Sequence, residues 1–166
     1  MNKLILIFVA FTLICCNTKQ VKIEDFDFKP LIKKDMSKIS ELIDELDTIK
    51  KVSDWVDGDR QFYRLWLEGA KSELKSDFNS AIKCYKDASE VSRYEISSYE
   101  VKLPLGRALI QNGNIAEANT ILKKFKEEAL NDINNTDAEW ELSEEGKSNI
   151  RNQIEICDKL LLLINK

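Results

Sequence analysis

The residues able to do chemistry in this chain are its cysteines and its carboxylates, because it contains no histidine. That removes the commonest general base near neutral pH and the commonest metal ligand. None of the four cysteines, Cys15, Cys16, Cys84 and Cys157, belongs to a pair with zinc-site spacing. Glu127-Glu128 and Glu144-Glu145 are adjacent carboxylates, and neighbours on a helix diverge by about 100°, so each pair reads as a solvated face and not as an acid/base dyad. Asp57-Gly58-Asp59 invites a calcium reading, but the alternating ligands before the glycine and the glutamate beyond it are missing. It reads as a turn in which Asp59 caps the following helix. No glycine-rich phosphate loop follows a strand, and no serine sits in a nucleophile elbow. The expectation is a protein that is not an enzyme and needs no cofactor or metal.

Charge narrows the partners. The formal net charge is −4, and basic residues are nowhere concentrated into a surface fit for a phosphate backbone, so nucleic acid is not expected as a partner. The amino terminus carries a different signal. Lys3 is followed by an apolar run from Leu4 to Ile14, which as a helix spans roughly 16 Å against about 30 Å of hydrocarbon. The run ends in Leu13-Ile14-Cys15-Cys16, which resembles the lipobox of bacterial lipoproteins, with Leu13 and Ile14 ahead of the acceptor Cys16. Cys15 stands where that family usually has Gly, Ala or Ser. The resemblance implies that residues 1–16 form a signal peptide with its lipobox, that Cys16 receives a diacylglyceryl group, and that the mature chain is anchored in a bacterial cell envelope. Several acyl chains hold a protein stably where one does not. The implied location is a membrane, the outer membrane preferred, facing the periplasm or the cell surface.

Beyond the leader, Pro (2) and Gly (5) are scarce and charged residues reach 33%, which favours helix over sheet. Residues 17–36 carry alternating charges together with Phe26, Phe28 and Pro30, and read as a tether. Residues 37–166 read as an all-α domain. Ile39, Leu42, Ile43, Leu46, Ile49, Val52, Trp55 and Val56 recur at intervals of three and four, predicting a helix from Ser37 to Val56 ended by Gly58. Two helices then occupy about 60–75 and 78–92, with Asp77 as a cap between them, and two more about 98–112 and 115–131. Pro104 predicts a late start or a kink in the third of these. NDINNTD at 131–137 reads as a loop, and a last helix runs from Ser143 to Leu163. Its four leucines, Leu160 to Leu163, are wide for one stripe, so they are packed on both sides or open to a partner, a small apolar ligand being one alternative. Cys84 and Cys157 fall on apolar helix faces, as buried thiols or, if those helices touch, as a disulfide.

The central stretch repeats itself at 37 residues: Gly69 recurs as Gly106, Ala81 as Ala118, Phe78 as Ile115 and Tyr85 as Leu122. With Ala88 and Gly113 these residues resemble the tetratricopeptide repeat, in copies at about 60–93 and 97–131, flanked by capping helices that include 143–164. The period departs from the usual 34, the helix-ending proline is missing, and Phe125 replaces the last small residue of the second copy. The resemblance implies a groove lined by the first helix of each copy, where Tyr63, Trp66, Ala70 and Glu73, then Glu100, Leu103, Arg107 and Ile110, would meet a protein or peptide partner. If the 37–56 helix lies in that groove, Tyr63 and Trp66 are simply core. The functional expectation is a lipid-anchored adaptor or scaffold, similar to lipoprotein subunits of outer-membrane protein assembly machinery. A surface lipoprotein engaging host molecules is a further alternative.

Overall fold

A computed structural model describes residues 22–48, 54–91, 100–134 and 142–165, with 54–56 described by backbone alone. The leader with its lipobox and Cys16, the first five residues of the expected tether, and Ile49 and Val52 lie outside the described residues, as do the Trp55 and Val56 side chains. All regular structure among the described residues is helical. A 3-10 turn, Ile23–Asp25, leads into α1 (Lys29–Thr48), α2 (Asp54–Leu74), α3 (Phe78–Val91), α4 (Lys102–Gln111), α5 (Ile115–Asn134) and α6 (Glu144–Ile164). Each helix packs on the next, and α4 also reaches α6.

The first helix starts eight residues earlier than the apolar stripe from Ser37 suggests, so most of the expected tether is folded. Pro30 sits in its first turn, where an absent N–H leaves no intrahelical bond unmade, and the Asp27 carboxylate accepts the Lys29 N–H at 3.0 Å. Phe28 and Ile32 extend the stripe backward and are buried with Ile39 and Leu46. Ser37, the expected first residue of this helix, is an exposed mid-helix residue. Its far end differs too: α1 stops at Thr48, and Gly58 and Asp59, expected to end one helix and cap the next, lie inside α2. Arg60 ties the two helices together, donating to the Asp47 carboxylate at 2.7 Å and the Leu46 carbonyl at 3.3 Å.

The two hairpins α2–α3 and α4–α5 close with the same hydrogen bonds. Ser76 N donates to Glu73 O at 2.9 Å and Asp77 N to Ser72 O at 3.0 Å, while Gly113 N donates to Ile110 O at 3.0 Å and Asn114 N to Leu109 O at 2.9 Å. Every donor and acceptor in the second set lies 37 residues after its counterpart. Ser76 and Gly113 share the left-handed backbone, at φ 61° and 79°. Close approach repeats as well: a Cβ at Gly69 would lie 2.4 Å from the Tyr85 ring, and one at Gly106 would lie 2.5 Å from Leu122.

Pro104 stands in the first turn of α4, which begins at Lys102, so the late start expected from that proline is what occurs. Every residue from Leu103 to Ile110 is buried, which makes α4 the central helix of the stack. The helix α5 continues to Asn134 through half of the stretch read as a loop, whose remainder, 135–137, lies outside the described residues. Ser143 caps α6, its hydroxyl accepting the Gly146 N–H at 3.1 Å.

Candidate functional site

The expected groove along α2 and α4 is occupied by α1. Trp66 is 4% exposed, Glu73 and Arg107 2% each, Ile110 2% and Leu103 9%, while Tyr63 and Glu100 are half-buried. Ala70 is fully buried. The groove was expected either open or filled by the 37–56 helix, and the filled arrangement is the one observed, with Ile32, Ile39 and Leu46 of α1 buried.

Beneath α1 the polar members of the set form one network. Arg107 donates from Nε to Glu73 Oε1 at 3.0 Å, from one terminal nitrogen to Glu73 Oε2 at 2.6 Å, and from the other to Asp35 Oδ2 at 2.8 Å. The Tyr85 hydroxyl donates to Glu73 Oε2 at 2.6 Å and the Gln111 amide to Glu73 Oε1 at 2.6 Å. Burial works against the charge on Arg107, but Glu73 and Asp35 overcome it and hold its pKa well above the usual value. Burial, with Glu73 second, pushes the Tyr85 hydroxyl well above its ordinary range. A buried pair so completely bonded joins α1, α2, α3 and α4, and its chemistry is structural. Tyr63 stacks on Trp66 with ring centroids 6.4 Å apart, and burial followed by Glu100 raises its pKa to about 12.

What remains open is a cleft of about 160 Å³ between α1, α4 and α6. Leu31, Trp66, Leu103, Pro104 and Ile156 supply its apolar walls. Lys34 and Lys38 from α1, and Asn149, Asn152 and Gln153 from α6, supply polar groups. Glu100 and Arg107 also line it, so four of the eight expected partner-binding residues, Trp66, Glu100, Leu103 and Arg107, come together here. Glu73 and Ile110 belong to the interior, and Tyr63 packs beside the cleft without lining it. The Trp66 indole N–H is buried and has no hydrogen-bond partner, the one such side-chain group among the described residues.

The contributions of α1 and α6 to this cleft went unread because neither helix belongs to the repeated stretch. The spacing of Phe28, Ile32, Ile39 and Leu46, with Asp27 and Pro30 at a helix start, is the signal that would have placed α1. The leucine run lines no part of the cleft: Leu160 and Leu163 are buried, and Leu162 is 66% exposed. Cys84 and Cys157 are free thiols. Cys157 is fully buried, donates to the Leu122 carbonyl at 3.3 Å, and is pushed by burial to a pKa of about 12. No helix among the described residues is long and apolar enough to cross a membrane. No protein-family model, curated protein or solved structure matches the chain.

Proposed function

We propose that this chain is a lipid-anchored, non-enzymatic helical-repeat adaptor of a bacterial cell envelope, and that it holds a short segment of a protein partner in the cleft between α1, α4 and α6. The observation that carries this reading is the make-up of the cleft: an apolar floor on Trp66, Leu103, Pro104 and Ile156 beneath amide side chains from α6. Such a combination suits a peptide, whose side chain fills the floor while its backbone amides meet Asn149, Asn152 and Gln153. Support for the tetratricopeptide-like part lies in the hairpin hydrogen bonds and glycine contacts that recur at 37 residues. The anchor rests on the Leu13-Ile14-Cys15-Cys16 resemblance.

Site-specific photocrosslinking in intact cells tests the reading. A crosslinker at Asn152 is expected to capture a discrete partner that one at Lys83, on α3 and exposed, does not. The Asn152→Ala/Gln153→Ala variant should lose that partner at an unchanged thermal midpoint, because Asn152 is exposed and Gln153 half-buried. The same products from both positions, or full retention by the variant, would sink the cleft as the binding site.

A further inference from the structure

The helix α1 is electrically inverted. Its first ten residues carry Lys29, Lys33, Lys34 and Lys38 against one half-buried acid, Asp35, while its last ten expose Glu41, Asp44, Glu45 and Asp47 and no base. A helix macrodipole favours the opposite order, acids at the amino end and bases at the carboxyl end, so this arrangement costs α1 stability and does not serve its folding. Lys29 and Lys33 lie one turn apart on one flank, while Lys34 and Lys38, one turn apart on the other, stand at the cleft. Lys38 reaches Glu100 at 3.6 Å with half of its side chain still exposed. Asp35, the acid inside this stretch, is taken by Arg107 at 2.8 Å, while Glu24, Asp25 and Asp27 precede the helix and Asp27 accepts the Lys29 N–H.

The position of this patch in the chain says what it meets. Only five residues lie between Cys16 and Lys22, where the described residues begin, a span of at most about 20 Å fully extended. Resting on the lipid-anchor reading above, that short reach keeps the amino end of α1 beside the bilayer, although the whole chain carries a net charge of −4. We propose that the Lys29 and Lys33 flank of α1 docks on an anionic phospholipid surface, turning the acidic end of the helix away from it. An acyl anchor and a basic patch act together in this way, each lysine near an anionic surface raising binding about fivefold. The patch thereby fixes which way an anchored adaptor faces.

The test uses the mature acylated protein in vesicles of phosphatidylcholine alone or with one quarter phosphatidylglycerol, reading lysine acetylation rates residue by residue. Lys29 and Lys33 are expected to react at least about fivefold more slowly on the anionic vesicles, with Lys83 and Lys124 on α3 and α5 unaffected. Salt at about 1 M should abolish the difference. The Lys33→Glu variant should lose the protection of Lys29 while its thermal midpoint stays level or rises, because acids at that end suit the dipole. A midpoint that falls in this variant would make the lysines structural and overturn the proposal. Equal acetylation on both vesicles would overturn it too and leave the patch to an acidic protein surface. Mass spectrometry of Cys16 reads the anchor separately. If that cysteine carries no acyl group, co-sedimentation of the unacylated chain with anionic but not neutral vesicles, lost in the variant, still decides the patch.

Discussion

Arg107 illustrates how one residue changes meaning between a pattern and a fold. Its position on the first helix of a repeat, and the guanidinium's suitability for a carboxylate, mark it as a groove residue. The carboxylates it finds are the chain's own Glu73 and Asp35. Taking away one member of such a buried pair leaves an uncompensated charge, so Arg107→Met is expected to cost about 3–5 kcal/mol in urea unfolding. Adding Glu73→Gln to it should recover at least half of the loss, since the amide oxygen still accepts from Tyr85 and the stranded charge is gone. Full additivity of the two losses would mean that the pair is not coupled as its geometry indicates.

At the scale of the element, glycines sort into those that hairpins require and those they tolerate. Gly69→Ala places a methyl 2.4 Å from a Tyr85 ring that Glu73 holds in place, and should cost about 1–3 kcal/mol despite the better helix propensity of alanine. Gly106→Ala meets Leu122 at 2.5 Å, and an aliphatic side chain has rotamers to offer, so its cost should fall at the lower end of that range. Gly146→Ala meets nothing closer than 3.4 Å and should gain up to about 1 kcal/mol. Ser76 sits at φ 61° where the equivalent hairpin has Gly113, and Ser76→Gly is expected to stabilise by up to about 1 kcal/mol. Thermal midpoints of these four variants check the set, and an ordering with Gly146→Ala below Gly69→Ala would refute it. Much of this layer was legible: the 37-residue offset named Gly69, Gly106, Tyr85 and Leu122 before any packing was known. The start of α1 was not, because Phe28 and Pro30 sit among charges that mask a helical period.

For the whole molecule, the raised acids predict an alkaline limit. Cys157 and Tyr63 are held protonated to about 12, against about 9 and 10 when unfolded, and Tyr85 is raised with them. Between the unfolded and folded values the native state binds more protons than the unfolded chain, so stability falls as pH rises. It is fully present below about pH 9 and lost progressively toward 12. Cys157, buried in the α5–α6 contact, accounts for up to roughly 4 kcal/mol of that fall. Urea midpoints between pH 7 and 11.5 should decline, and less steeply in Cys157→Ala. Equal slopes in the two proteins would mean that this thiol does not report the folded state.

The sequence by itself determined the helical class, the hairpin pair and its glycine contacts, because these depend on residues close along the chain and on a period that repeats. Only the tertiary structure decided that α1 fills the groove, that Glu73 and Arg107 are interior, and that the open cleft belongs to α1, α4 and α6. Those outcomes turn on which apolar stripe covers which face. Several stripes of similar strength compete for the same surface, and the winner depends on distances between residues such as Asp35 and Arg107 that lie 72 positions apart.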